Sequence, residues 1–174
     1  MQVGLSLGKA VNSVDDIDLR HYHGAALHLT AEASDSLRFG AMVAADNAFD
    51  RVYLYAAEAL YTSGPLRIEG RLGDSFDNDH PFSLFEVDGA FSFNGPLSLR
   101  LGTKFTDLGA AGNTSLFTVG AGYTLGNGTA LHADYGRQSG ASAVGDGGSL
   151  LNLGVRFNLG AGSPDTAFRY QPLN

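Results

Sequence analysis

The sequence contains no cysteine, no tryptophan and only 5 prolines among its 174 residues. Without cysteine there are no disulfides, no thiolate metal ligands and no cysteine nucleophile. The chain also lacks any stretch near the ~20 consecutive apolar residues that a membrane-spanning helix requires. Its formal net charge of -7 argues against a nucleic-acid partner, because such binding favours a basic surface. These absences exclude a disulfide scaffold, a helical membrane protein and a nucleic-acid-binding protein.

Glycine, in contrast, is abundant at 24 residues, and turn-forming clusters recur about 30 residues apart. They are found at 33–36, 63–65, 94–96 and 126–128. Between two successive clusters lie an alternating apolar/polar stretch, a longer polar loop and a second alternating stretch. This pattern predicts antiparallel hairpins with tight turns at one end and long loops at the other. The asymmetry is typical of a transmembrane β-barrel, whose tight turns face the periplasm.

Ten alternating segments predict the strands, and most of them run about 9–12 residues, near the length that a tilted strand needs to cross hydrocarbon. The last segment is the clearest, with Leu151, Leu153 and Val155 alternating with Asn152 and Gly154. Period-2 alternation gives each strand one apolar and one polar face. The predicted strands are 2–11, 21–33, 37–45, 52–62, 66–74, 82–93, 97–106, 115–125, 129–138 and 149–159.

The aromatic residues distinguish a membrane barrel from a soluble all-β domain. Alternation alone suits either fold, but aromatics near the strand ends suit two interfacial girdles. Those residues are Tyr53, Tyr55, Tyr61, Phe93, Phe105, Phe117, Tyr123 and Tyr135. We therefore expect an all-β fold, a single antiparallel up-and-down transmembrane β-barrel of about 10 strands. It is expected to span residues 1–160 and to be followed by a C-terminal tail, 161–174.

The polar faces predict a charged barrel interior. When each hairpin is folded about its turn, Glu58 falls opposite Arg71, and Glu86 falls opposite Lys104. Across the longer 139–148 loop, Arg156 is expected near His132 and Asp134. The full set of predicted interior charges is Glu58, Arg67, Glu69, Arg71, Glu86, Asp88, Arg100, Lys104, His132, Asp134 and Arg156.

Two interpretations of these charges stay open at the level of sequence. They are either structural ion pairs that fill a small barrel or a charged constriction that orients small ions. An eight-stranded barrel is just filled by its side chains, whereas porins of about 16–18 strands leave a wide channel. With ten strands we expect a slim path, for which inward glycines such as Gly102, Gly120, Gly122 and Gly154 make room.

A loop at 74–80 combines carboxylates with a histidine. Asp74, Asp77 and Asp79 stand close to His80, and their oxygens predict at most weak binding of divalent cations. The alternative is an outer-rim Asp/His site that activates water, as in omptin-type proteases. Because no second cluster completes such a site, we expect no catalytic residue, no dedicated metal site and no cofactor.

Several segments resemble the hairpins of Gram-negative porins, especially those of the alphaproteobacterial type. The segments are 31–41, 44–48, 123–129 and 153–159. The resemblance implies a barrel in the cell outer membrane, with the lipid bilayer as its partner and transport rather than enzymatic chemistry as its role. The chain departs from these porins in having fewer predicted strands and no loop as long as their constriction loop.

We therefore expect a small porin-like outer-membrane barrel that is structural or forms a narrow pore for ions and small solutes. As an alternative, the barrel docks a partner, such as another membrane protein, through its acidic loops or its C-terminal tail. An omptin-like or lipid-modifying enzyme is a third, less favoured hypothesis.

Overall fold

The chain forms one antiparallel sheet of ten strands in which every strand pairs with its neighbours in sequence. A computed structural model describes residues 2–12, 20–46, 52–76, 82–126, 129–140 and 148–156. This confirms the predicted all-β, up-and-down architecture. The strands are β1 Gln2–Asn12, β2 Arg20–Ser34, β3 Leu37–Asp46, β4 Val52–Ser63, β5 Leu66–Ser75, β6 Ser83–Ser92, β7 Leu97–Asp107, β8 Asn113–Thr124, β9 Ala130–Ser139 and β10 Gly148–Arg156.

The two edges of the sheet, β1 and β10, approach each other to within 8 Å between Cα atoms. In the part of the chain described, no hydrogen-bonded ladder joins them, so the sheet is barrel-like without being closed. No helix among the described residues has the length and apolar character needed to cross a membrane. The predicted division into a barrel (1–160) and a tail (161–174) stays a prediction, because residues 157–174 are not among those described.

Tight turns connect the strands at one end of the sheet. The turns after β4 and β6 each contain a glycine with positive φ, Gly64 at 53° and Gly95 at 131°, a conformation that glycine adopts without steric cost. Neighbouring turns are also joined by backbone hydrogen bonds, such as the one from Thr62 N to Ser36 O at 2.8 Å. This end is therefore a continuous, hydrogen-bonded rim.

The connection between β7 and β8 is tighter than the sequence predicts. A short 3-10 helix, Gly109–Ala111, lets β8 begin at Asn113, directly opposite Asp107. The Asp107 side chain accepts a hydrogen bond from Gly109 N at 2.9 Å, and Leu108 N donates to Gly112 O at 2.9 Å. The long loop predicted at 107–114 is therefore a compact turn.

The outward face of the sheet is a broad apolar surface. Leu101 is 47% exposed and Phe117 is 58% exposed, and large apolar residues at alternate positions from β2 to β10 are similarly open. Monomeric soluble proteins rarely expose so extensive an apolar surface, whereas a barrel in lipid requires one. All the predicted girdle aromatics lie on this surface: Tyr53, Tyr55, Tyr61, Phe93, Phe105, Phe117, Tyr123 and Tyr135.

The inward face is mixed in character. Charged and polar side chains are buried there together with one apolar cluster, which we call the apolar cap. The cap lies toward the long-loop ends of β2 to β6, and Leu108 packs against it. Its members are Ala26, Met42, Ala44, Leu54, Ala56, Phe82 and Leu84. The period-2 pattern has thus placed one face toward lipid and the other toward a filled interior.

The cost of a charge at different depths in the membrane tests whether the outward face of the sheet contacts lipid. Leu101 lies at the middle of β7, whereas Leu125 follows the last residue of β8 at the tight-turn rim. We expect Leu101→Arg to lower the free energy of unfolding by about 2–4 kcal/mol and Leu125→Arg by at most about 1 kcal/mol, because the cost of a charge falls toward the interface.

Equilibrium unfolding in lipid vesicles gives the free energy of unfolding of both variants. The fraction of folded barrel at each denaturant concentration is read from its heat-modifiable mobility on gels. Equal costs for the two substitutions would contradict a lipid-facing position for Leu101.

Candidate functional site

A row of alternating charges crosses the inward face from β4 to β7. The ladders pair Glu58 with Arg71, Arg71 with Glu86, and Glu86 with Lys104. The pairings of Glu58 with Arg71 and of Glu86 with Lys104 are those predicted from the hairpin turns. Opposite charges directly across a ladder attract each other, so the row is held together from strand to strand.

Arg71 is the centre of this arrangement. Its Nε donates to Glu58 Oε1 at 3.0 Å, and its Nη1 donates to Glu86 Oε2 at 2.9 Å. Its Nη2 lies 3.4 Å from Glu69 Oε1, on the same strand. Three carboxylates thus surround one guanidinium, whose planar fork of donors suits several acceptors at once.

The network extends beyond this row. Arg67 Nη2 donates to Glu69 Oε2 at 2.7 Å, and His28 Nδ1 lies 2.8 Å from Glu58 Oε2. Glu69 and Asp88 face each other directly across the β5–β6 ladder. Because like charges at such positions repel, the cations around them are needed to hold this part of the interior together. We call the set of His28, Glu58, Arg67, Glu69, Arg71 and Glu86 the Arg71 network.

Burial strengthens these interactions. The side chain of Glu58 is 0% exposed, that of Arg71 is 3% exposed and that of Glu86 is 7% exposed. Removing one member of such a buried group leaves a charge without compensation in a medium that solvates it poorly. The network is therefore a structural strut as well as a concentration of charge.

A second charged pair lies on the other side of the interior. Arg100 Nε of β7 is 2.8 Å from Asp134 Oδ1 of β9, although the N–H is not aligned for a hydrogen bond. Asn152 Nδ2 of β10 lies 3.4 Å from Asp134 Oδ2. The pair of Arg100 and Asp134 joins β7 and β9, which are not neighbours, because β8 runs between them.

A glycine on the intervening strand leaves room for the contact between Arg100 and Asp134. Gly120 of β8 is in register with both residues, and a Cβ at Gly120 would collide with Asp134 Oδ1. The contact of His28 with Glu58 also spans a strand, but there Met42 of β3 is in register with His28 and Gly40 with Glu58. Folding single hairpins does not reveal such contacts. For Arg100 and Asp134, an inward glycine in register between two polar residues is the signal that could have found the contact.

The sequence also predicts that Arg156 of β10 lies near His132 and Asp134 of β9. In the β9–β10 ladder Gly154 stands opposite His132, and Asn152 stands opposite Asp134. Arg156 pairs with Ala130, two residues before His132 on the same strand, and its side chain lies outside the described residues. Its approach to His132 and Asp134 therefore stays a prediction.

The predicted cation-binding loop is described only at its start. Asp74 Oδ1 accepts a hydrogen bond from Ser75 N at 2.8 Å, which ties this carboxylate to the end of β5. Asp77, Asp79 and His80 lie outside the described residues. Weak cation binding by the loop therefore stays a prediction.

Comparison with known proteins gives one match. The family model of the Gram-negative porins matches residues 2–143, which is most of the chain. Searches of curated proteins and of solved structures returned no match. The matched region contains strands β1 to β9 and all the interior charges except Arg156.

The Arg71 network makes a prediction about stability. Arg71→Met should lower the free energy of unfolding by about 3–5 kcal/mol, because the carboxylates of Glu58, Glu69 and Glu86 lose their common partner. Adding Glu86→Gln to this variant should recover part of the loss, since one uncompensated charge is removed.

The control is Glu32→Gln, which weakens the ion pair with Arg38 by changing its 59% exposed member. A pair with an exposed member contributes little, at most about 1 kcal/mol. Urea titration in vesicles compares the variants, and an Arg71→Met protein as stable as the Glu32→Gln protein would contradict the structural role of the network.

Proposed function

The chain belongs to the Gram-negative porin family, and on that basis we propose that it forms a narrow pore for ions and small solutes. A porin of this family lies in the cell outer membrane, with the lipid bilayer around its apolar face. The observation that carries the proposal is the interior lined by charges of both signs, from Glu58 on β4 to Asp134 on β9.

The charged interior favours ion passage over a purely structural role. A small barrel can be filled by apolar side chains, and replacing buried ion pairs by apolar residues is often neutral or stabilising. An interior that keeps its charges at this cost is suited to solutes that are themselves charged. Rings of charged side chains are a usual means of selecting ions.

Strand number limits the size of the solute. Ten strands lie closer to the eight-stranded barrels that side chains fill than to the wide general porins. The Arg71 network and the apolar cap occupy part of this small interior. The pore should therefore pass hydrated ions and very small solutes but exclude sugars and peptides.

Acidic and basic side chains nearly balance in the interior, which limits selectivity between cations and anions. Within the described residues, the acids of the network and its surroundings are Glu58, Glu69, Glu86, Asp88 and Asp134, and the bases are Arg67, Arg71, Arg100 and Lys104. Because side chains of both signs line the interior, we expect only weak selectivity by charge.

The other hypotheses have less support. Docking of a partner membrane protein depends on the acidic loops and on residues 161–174, most of which lie outside the described residues, so it stays a prediction. We propose a role that is not enzymatic, in keeping with the porin family.

Reconstitution in planar bilayers tests the pore. The refolded protein should give small currents that rise linearly with voltage, and a salt gradient should give only a small reversal potential, because the interior charges nearly balance. In liposome-swelling assays, salts should enter and disaccharides should not.

Boiled protein added at the same detergent concentration is the control for leakage. No current from the folded barrel at any voltage would overturn the pore, and a current accompanied by disaccharide entry would overturn its narrowness.

A further inference from the structure

Among the side chains that the structure describes, the interior divides into two halves that differ in how tightly they are closed. One half is formed by the inward faces of β2 to β6, and the other by those of β7 to β10. The two halves contain different kinds of inward residues, and this difference bears on where an ion can pass.

The β2–β6 half is sealed toward the long loops. Met42, Leu54 and Leu84 of the apolar cap are each no more than 2% exposed. They precede the Arg71 network on the path from the loops, because Leu54 lies before Glu58 on β4 and Leu84 before Glu86 on β6. An ion moving through this half would first have to cross a dry apolar layer, which is costly for any charge.

The β7–β10 half has polar and partly exposed residues at both ends. Toward the long loops its inward residues include the partly exposed Thr106, Thr114 and Gln138, beside the buried Leu116 and Lys104. Asn152 at mid-strand and His132 toward the tight turns are partly exposed as well. In the residues described, no buried apolar cluster comparable with the cap lies on this side. Polar groups that water reaches are what a path for ions requires.

Glycines widen this half by letting side chains lie flat against the wall. A Cβ at Gly154 would overlap the His132 ring, and one at Gly122 would stand 2.5 Å from Ser98 Oγ. The polar ends of these neighbours occupy the spaces that side chains on the glycines would fill. They are therefore held close to the sheet and not across the interior.

We propose that ions cross the barrel along the β7–β10 half and that Arg100 and Asp134 form the charged pair that sets ion selectivity. The Arg71 network is then a strut that ions do not reach. This inference rests on the proposed pore function and identifies the part of the interior that carries it.

The position of Arg100 supports this assignment. Its side chain is 12% exposed, against 3% for Arg71. It crosses Gly120 of β8 to contact Asp134. Arg71 is held by three carboxylates, whereas Arg100 forms its ion pair with Asp134. Because its side chain is the more exposed of the two, Arg100 can interact with a passing ion more readily than Arg71.

Selectivity measurements test the pair. In a salt gradient, Arg100→Gln should raise the ratio of cation to anion permeability by about twofold or more, and Asp134→Asn should lower it by a similar factor. The matched control is Arg137→Gln, the same change on the exposed, outward side of β9, which should leave the ratio unchanged.

Because the native chain has no cysteine, single cysteines test the route without dependence on charge. Thr118→Cys places a thiol on the partly exposed inward face of β8, and Ala56→Cys places one in the apolar cap, where Ala56 is 5% exposed. A charged, membrane-impermeant methanethiosulfonate should label the first in folded protein in vesicles and reduce its current. The second should stay unlabelled by mass spectrometry until the protein is unfolded.

The outcomes separate the two proposals. Absence of any current removes the pore and this inference with it. A current whose selectivity is unaffected by Arg100→Gln and Asp134→Asn, or labelling of Ala56→Cys as fast as that of Thr118→Cys, overturns the inference and leaves the pore in place.

Discussion

Inside a bilayer every backbone N–H and C=O must find a partner within the protein, because lipid offers none. In this chain a continuous antiparallel ladder from β1 to β10 meets that demand for the strands between the two edges of the sheet. Once the backbone is committed to paired strands, side chains must alternate between lipid and interior. The apolar outer surface, the tight turns at one rim and the crowded interior all follow from this constraint.

The interior then has to accommodate many side chains in little space. On the side of β2 to β6, Arg71 joins three carboxylates beneath an apolar cap. On the side of β7 to β10, glycines take the place of larger residues, and Asp134 and His132 lie over them. A small barrel can thus combine a rigid, filled half with a more open one, because glycine allows a neighbouring side chain to lie where its own would stand.

How far the site could be predicted depended on the distance along the chain between partners. Glu58 with Arg71 and Glu86 with Lys104 were predictable, because a tight turn fixes the register of the hairpin that contains them. The contacts of His28 with Glu58 and of Arg100 with Asp134 were missed, since each spans an intervening strand. The approach of Arg156 to His132 stays a prediction, because a long loop does not set register and the Arg156 side chain lies outside the described residues.

Strand number, the alternation of faces, the turn positions and the resemblance to porins could all be predicted from the sequence, because period-2 patterning and turn glycines are local properties of the chain. The folded chain was needed to show which charges meet and which part of the interior is sealed. Those features depend on the curvature that brings non-adjacent strands together and on the size of the inward residue between them. Gly120, between Arg100 and Asp134, is the clearest example, because its role exists only once three strands lie side by side.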